Sequence, residues 1–363
     1  MKGAIAIGLL CASCGNAIAQ NETASNSFET FADWCLNQDR LSPEAQLTVE
    51  ALLTRARTQD CNQAEAVLTN LTQLTFYVST SEGIVDLAPF ASLPHLTELT
   101  LDGQDIIDVT PLASLTQLTQ LTLAGNNLTD VSPLASLTNL AKLDLRDNCI
   151  ADVAPLANLT ELLQLDLSNN AIVDIAPLAS LTHLTALILA GNQIVEGAPL
   201  ASLTYLRTLI LDDNQIVEVA PLTNLTHLRT LTLGNNQIAD VTPLGSLTSL
   251  DALWLYDNQI ADVTPLANLS DLSLLYLADN QITDVSPLAS LTQLNELWLY
   301  DNQIADVAPL ASLTNLIKLD LSQNQIADVS PLASLTYLSK LDLGENPLRD
   351  RTCPVQPETI CQF

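Results

Sequence analysis

Aromatic residues are scarce in this sequence, which has 363 residues but only five Phe, six Tyr and three Trp. Hydrophobic residues nevertheless make up 48% of the chain. A core cannot be built around so few large rings. We therefore expect the interior to be aliphatic and to consist mostly of leucine side chains.

Basic residues are also scarce, with 12 Lys and Arg against 41 Asp and Glu, giving a formal net charge of -29. The sequence has no basic stripe that would release counterions from nucleic acid or hold an anionic membrane surface. No segment after the first residues has a hydrophobic run long enough to span a membrane. The excess of like charge favours a soluble monomer.

Residues that carry chemistry are equally few. The three histidines, His95, His183 and His227, occupy equivalent loop positions, where Tyr205 and Tyr337 stand in other copies of a repeated unit. The sequence has no glycine-rich phosphate loop and no Cys/His spacing for a metal. We therefore expect no catalytic activity, no cofactor and no metal site.

The first residues have the pattern of an export signal. Lys2 precedes an apolar stretch, and Ala17-Ile18-Ala19 forms a small-x-small cleavage site before Gln20. We expect residues 1–19 to be a signal peptide and the chain to be secreted, periplasmic or on the cell surface. Lipid anchoring at Cys14 is a second interpretation, although the preceding residues lack the usual aliphatic side chain.

The distribution of cysteines agrees with export. Cys35 and Cys61 precede the repeated units, and Cys353 and Cys361 follow them. Because a long array separates the two pairs, we expect one local disulfide at each end, in an oxidising compartment. Cys149 is outside both pairs, and we expect it to be inert and partly exposed rather than reactive.

A 22-residue repeat organises most of the chain. Twelve prolines recur at this spacing, from Pro89 to Pro331. The unit is Leu-x-x-Leu-x-Leu-x-x-Asn-x-Ile-x-Asp-Val-x-Pro-Leu-x-x-Leu-x-x, as in the copy that begins at Leu228. This pattern resembles the leucine-rich-repeat family, and the 22-residue form is most similar to the internalin-like bacterial branch. The resemblance covers roughly residues 71–350 and implies a protein-binding function.

The repeat predicts an α/β solenoid, a right-handed superhelix of about 12–13 coils. The Leu-x-Leu segment predicts a short parallel strand on the concave face. We expect the Asn of the repeat to form hydrogen bonds with the backbone of its own and neighbouring coils. The Asp-Val-x-Pro-Leu segment predicts a 3₁₀ turn on the convex face. We place a helical N-terminal cap at 20–70, the solenoid at 71–350 and a C-terminal cap tail at 351–363. Helices are expected after Ser42 and Asp60, and the first carries an apolar face that includes Leu47.

Acidic residues form a column at the Asp of the repeat. Such a ladder suggests calcium, but one carboxylate per coil supplies too few oxygens, and capping of each 3₁₀ turn explains every copy. We therefore predict capping. The column consists of Asp86, Asp108, Asp130, Asp152, Asp174, Glu196, Glu218, Asp240, Asp262, Asp284, Asp306 and Asp328.

A candidate ligand site lies where the outward strand positions of three adjacent coils are aromatic. Duplication explains part of this clustering, because 253–263 and 297–307 are identical, but it does not explain Tyr276. Exposed aromatic patches mark binding sites, and we expect Ala278 to leave a dent between two tyrosines and no basic residue to lie nearby. The predicted site consists of Trp254, Tyr256, Tyr276, Trp298 and Tyr300, flanked by Asp257, Asp279 and Asp301.

These features predict a protein-binding module that uses its concave face. An aromatic floor with an acidic rim fits a protein partner that has an apolar and basic surface. A carbohydrate or cell-envelope ligand is the alternative, because sugars also stack on Trp and Tyr.

Overall fold

The computed structural model describes residues 28–77 and 83–363. The predicted signal peptide and the alternative lipid anchor at Cys14 lie outside the described residues. The chain divides into two compact units, one ending at Leu187 and the other beginning at Ile188. Each unit is a stack of coils that carry a short parallel strand and a 3₁₀ turn, which confirms the predicted solenoid.

Among the described residues, three α-helices precede the repeats: α1 (Phe31–Leu36), α2 (Pro43–Ala56) and α3 (Cys61–Leu68). The sequence predicted α2 and α3 from their caps, and both caps form: the amide of Ala45 donates to Ser42 Oγ at 3.1 Å, and Asp60 Oδ1 accepts from Gln63 N at 2.9 Å. Helix α1 was not predicted. Its signal is the capping box formed by Thr30 and Asp33.

The helices pack against each other and against the first coil. Phe31, Val49 and Leu52 are fully buried. The hydroxyl of Thr48 donates to the carbonyl oxygen of Asp86 at 2.7 Å and so ties α2 to the repeats. The expected place of Leu47 on the apolar face is wrong, since this side chain is 39% exposed. A 3₁₀ turn at Gln38–Arg40 connects α1 to α2.

Each coil contributes one short strand, and successive strands within a unit pair in parallel, in most cases with a register of 22 residues, as in Leu253 with Leu275. Strand β6 (Ala186–Ile188) lies at the boundary between the units. The first unit contains β1 (Gln73–Phe76), β2 (Glu98–Leu101), β3 (Gln120–Thr122), β4 (Lys142–Asp144) and β5 (Gln164–Asp166). The second contains β7 (Thr208–Ile210), β8 (Thr230–Thr232), β9 (Ala252–Trp254), β10 (Leu274–Tyr276), β11 (Glu296–Trp298), β12 (Lys318–Asp320), β13 (Lys340–Asp342) and β14 (Cys361–Gln362).

The core of each coil follows from the period of two along its strand. In β9, Leu253 is fully buried and so is Leu255 just after it, whereas Trp254 between them is partly exposed. The leucines and the Ile and Val of the loop close an aliphatic interior, as the scarcity of aromatic residues predicted. Most of the side chains between the leucines are thus left partly exposed to solvent.

The asparagine of the repeat forms a ladder of buried amides, as predicted. Asn258 Nδ2 donates to the carbonyl oxygen of Leu233 in the preceding coil at 2.9 Å and to that of Leu255 in its own coil at 3.2 Å. Its Oδ1 accepts from the amide of Ile238 at 2.9 Å. Each buried amide therefore satisfies backbone groups that the loop leaves without partners.

The aspartate of the repeat caps the 3₁₀ turn that follows it. Asp240 Oδ1 accepts from the amide of Thr242 at 2.8 Å. Hydrogen bonds from the side chain and then from the amide of Thr242 lower the pKa of Asp240. Asp262 and Asp284 cap their turns in the same way. The 3₁₀ turns are Ala88–Ser92, Thr110–Ser114, Ser132–Ser136, Ala154–Asn158, Ala176–Ser180, Ala198–Ser202, Ala220–Asn224, Thr242–Ser246, Thr264–Asn268, Ser286–Ser290, Ala308–Ser312, Ser330–Ser334 and, after the repeats, Glu358–Ile360.

Both predicted disulfides are present. Cys35 joins Cys61, and Cys353 joins Cys361. The second disulfide holds β14 next to β13, where Cys361 pairs with Leu341. Strand β14 thereby covers the last coil. Cys149 is partly exposed, as expected, but it is also disulfide-bonded, and the sequence did not indicate this bond.

Candidate functional site

Three aromatic side chains stand side by side on adjacent strands of the second unit. The register pairs Tyr276 with Trp254 on one side and with Trp298 on the other. All three are partly exposed, because each occupies the outward position between two buried leucines. We call Trp254, Tyr276 and Trp298 the aromatic column.

The rings of the aromatic column stack on one another. The ring centres of Tyr276 and Trp298 are 4.9 Å apart with their planes at 17°, and those of Trp254 and Tyr276 are 6.2 Å apart at 20°. The shorter distance matches the spacing of neighbouring strands and requires offset stacking. The ring faces between neighbours are therefore occupied, and the column presents mainly ring edges to solvent.

Lys340 closes one end of the column. Its Nζ lies 5.2 Å from the ring centre of Trp298 and 3.9 Å from Asp320 Oδ2. The expectation that no basic residue lies near the patch is wrong, because Lys340 stands two coils away in sequence yet reaches back to the indole. The Trp298 Nε1 proton is buried without a hydrogen-bond partner among the described residues, an arrangement that costs free energy.

Tyr256 does not join the stack but leans over the preceding coil. A methyl group on Gly234 would overlap with its ring, so the ring lies directly above that glycine. The phenol hydrogen-bonds to Asp212, two coils back, and burial followed by the charge of Asp212 raises the pKa of Tyr256. Asp212 also accepts from the hydroxyl of Thr232 and from the amide of Gly234, the latter at 2.8 Å.

The three predicted aspartates form a row beside the aromatic column. Asp257, Asp279 and Asp301 occupy the same turn position of adjacent coils, each with a positive φ of 50–54°. Burial, and then the charge of Asp301, raises the pKa of Asp279 to about 6. We call these residues the acidic row. Its middle member, Asp279, therefore ionises at a higher pH than an ordinary aspartate.

Tyr300 and Ala278 complete the site. Tyr300 hydrogen-bonds to Asp279, and its own pKa is raised by burial and by that carboxylate. Ala278 is fully buried. The predicted dent between the two tyrosines is therefore absent, because neighbouring side chains cover the alanine.

The structure brings the predicted aromatic and acidic residues together on adjacent coils, as their positions in the repeat indicate. The prediction omitted Asp212, Gly234 and Lys340, which touch the group from other coils. A signal was present for Gly234, since glycine replaces a larger residue one coil before Tyr256, directly under its ring. Asp212 and Lys340 have no comparable signal, because their contacts depend on side-chain direction.

The described residues contain no cluster of His, Cys, Asp and Glu that would hold a metal ion. Among the same residues, no helix has the length and hydrophobicity needed to cross a membrane.

A family model described as "Leucine Rich repeats (2 copies)" matches residues 116–158, 204–246, 226–268, 270–312 and 314–351. These matches cover about half of the chain and include every coil of the aromatic column. No curated protein sequence matches the chain.

Solved structures agree with the family model. An internalin (InlF) from Listeria monocytogenes is 33% identical, with a TM-score of 0.82 over 90% of this chain and 95% of its own. Internalin C2 from the same species is 38% identical, with a TM-score of 0.53 over 57% of this chain and 91% of its own. A leucine-rich-repeat protein of Leptospira interrogans shares the fold at 21% identity, with a TM-score of 0.71 over 89% of this chain and 95% of its own.

Proposed function

Because the chain belongs to the leucine-rich-repeat family and is internalin-like, we propose that it is an exported protein-binding module that grips its partner with the strand face around the aromatic column. Internalin-like proteins are binding modules, and the fold itself supplies an interaction surface. The partner we propose is a protein with an apolar and basic surface, and no catalytic step is part of the proposal.

One observation carries this proposal: Trp254, Tyr276 and Trp298 remain partly exposed on adjacent strands, whereas the leucines on either side of each are buried. Three stacked rings form a rigid apolar ridge that loses little entropy when it is covered. The acidic row next to the ridge supplies charge for a Lys or Arg of the partner. The two features together match one protein surface with an apolar knob and a neighbouring cation.

Carbohydrate binding is the second candidate, and Lys340 favours it, because a cation near aromatic rings can donate to sugar hydroxyls. A sugar, however, stacks on an open ring face. The faces inside the column are occupied by neighbouring rings, and Lys340 lies over Trp298. We therefore rank a protein partner first.

Export is part of the proposal on two grounds. The first residues have the composition of a signal peptide. The two disulfides at the ends of the repeats are stable in an oxidising compartment. Both features favour a secreted or envelope location.

The proposal is tested by selecting phage-displayed random peptides on the immobilised full chain. We expect the selected peptides to combine large apolar residues with Lys or Arg. Binding should fall at least about tenfold in the double variant Trp254→Ala and Trp298→Ala, which removes two ridge residues. A glycan array probed with the same protein distinguishes protein binding from carbohydrate binding, because only a carbohydrate-binding protein should bind the array.

Matched controls come from the same strand position of the first unit. The double variant Thr100→Ala and Thr122→Ala changes two outward residues away from the aromatic column and should bind the selected peptides normally. Circular dichroism checks that each variant is folded. Selected peptides without basic residues, or unchanged binding by the tryptophan variant, would contradict the proposal.

A further inference from the structure

Two arginines stand on adjacent coils of the second unit without a carboxylate partner. Arg207 and Arg229 occupy equivalent positions just before β7 and β8, and the amide of Arg229 donates to the carbonyl oxygen of Arg207 at 2.9 Å. Both side chains are exposed. Among the described residues, no carboxylate lies within ion-pair distance of either guanidinium.

Several other described basic residues, Lys142 on β4 among them, also lack a carboxylate within 4 Å, but Arg207 and Arg229 do so at the same position of adjacent coils. Three other basic residues on strands or just after them have a carboxylate within 4 Å: Arg146 with Asp144 at 3.6 Å, Lys318 with Glu296 at 2.9 Å and Lys340 with Asp320 at 3.9 Å. In a chain with a net charge of -29, acidic neighbours are easy to supply. Two adjacent, unneutralised guanidiniums repel each other until an anion lies between them.

An acidic residue lies at the equivalent position of the next coil, but its carboxylate hydrogen-bonds to a residue other than the two arginines. The amide of Asp251 donates to the carbonyl oxygen of Arg229 at 2.9 Å, so Asp251 follows the two arginines in the same position of the next coil. Its carboxylate accepts from the hydroxyl of Ser273 instead. Arg229 Nη1 donates to the carbonyl oxygen of Ser249 at 3.1 Å, which fixes the guanidinium while other N–H donors remain available.

Two exposed rings lie beside the arginines. Tyr205 and His227 each stand two residues before an arginine, and their ring centres are 6.3 Å apart with the planes at 21°. Tyr205 is 61% exposed. His227 Nδ1 is 3.0 Å from the carbonyl oxygen of Thr204, so Nδ1 carries a proton and Nε2 faces away from that bond. We call Tyr205, Arg207, His227 and Arg229 the arginine corner.

From this geometry we infer that the arginine corner is a second interaction surface, separate from the aromatic column, which binds an acidic segment of a protein partner. Guanidinium groups bind carboxylates through paired N–H donors, and Tyr with Arg is the composition typical of interface hot spots. Neighbouring coils are about 4.8 Å apart, so Arg207 and Arg229 can bind two neighbouring carboxylates or share one bridging carboxylate. A polyanion such as nucleic acid requires many phosphate contacts, which two arginines in a strongly acidic protein do not supply.

The test uses dye-labelled peptides and the full chain, with fluorescence polarisation as the readout. The probe is a blocked peptide of sequence Glu-Ala-Glu-Tyr, and its control is Gln-Ala-Gln-Tyr. We expect saturable binding of the acidic peptide only. Arg207→Gln or Arg229→Gln should weaken it about tenfold, and Arg→Lys at either position less, because lysine keeps the charge but loses the paired donors.

Two controls separate this surface from general electrostatics and from the aromatic column. Arg351→Gln makes the same change of charge at another exposed arginine and should leave binding unchanged. The double variant of Trp254 and Trp298 should also bind the acidic peptide normally. Equal binding of the glutamine peptide, an equal loss in Arg351→Gln, no saturable binding, or stronger binding of a sulfated oligosaccharide or single-stranded DNA overturns the inference.

Discussion

The phenol ring of Tyr256 lies over Gly234, in the space that a side chain at position 234 would fill. We expect Gly234→Ala to displace the ring, break its hydrogen bond to Asp212 and lower the free energy of unfolding by about 1–3 kcal/mol, the usual cost of overpacking. Urea denaturation measures this change. In the background of Tyr256→Ala the same glycine substitution should be nearly neutral, and an equal loss in both backgrounds would contradict the proposed clash.

Asp279 predicts a pH dependence of stability. Its pKa is about 6 in the folded chain, compared with an ordinary value of 3.8. A carboxyl group whose pKa is higher in the folded than in the unfolded chain stabilises the fold fully at pH values below the unfolded pKa. This stabilisation is lost as the pH rises through the folded pKa. Between about pH 4 and pH 8, the urea midpoint of the protein should therefore fall relative to that of Asp279→Asn, whose amide does not titrate. A constant difference between the two proteins across this range would show that Asp279 ionises normally.

Asn258 predicts the cost of removing one rung of the asparagine ladder. Asn258→Ala removes the hydrogen bonds to Leu233, Leu255 and Ile238 and leaves their buried backbone groups unsatisfied. We expect a loss of about 3 kcal/mol in the free energy of unfolding, measured by urea denaturation. Gln259→Ala, one exposed position further along, should change stability by less than about 0.5 kcal/mol. Similar values for the two variants would rule out a special role for the buried amide.

The disulfide of the N-terminal cap predicts a local rather than a global effect. Cys35 and Cys61 are 26 residues apart, a loop for which the entropy of the unfolded chain gives about 3.5 kcal/mol. In the variant Cys35→Ser with Cys61→Ser, amide hydrogen exchange should become faster in α1–α3 and in the first coils. Because each coil contacts only its neighbours, exchange around the aromatic column should stay unchanged. Faster exchange throughout the second unit would contradict this independence.

Much of the fold was predictable because a period of 22 assigns every residue to a column. The buried leucines, the amides of the ladder exemplified by Asn258, the capping carboxylates exemplified by Asp240 and the pairing Cys35–Cys61 all follow from position in the repeat or at its ends. Helix α1 was missed although Thr30 and Asp33 form a capping box, because a six-residue helix has too few turns to show a clear hydrophobic period.

The repeat thus determined by itself which side chains form the candidate site: Trp254, Tyr276 and Trp298 are in one column because their spacing is 22. The tertiary structure decided how they are used. Backbone period fixes where each Cα and Cβ lies, but the rotamer of a long side chain depends on what surrounds it. For that reason only the structure reveals that the rings stack instead of facing solvent, that Tyr256 reaches Asp212, that Lys340 covers Trp298, and that Arg207 and Arg229 are left without a carboxylate.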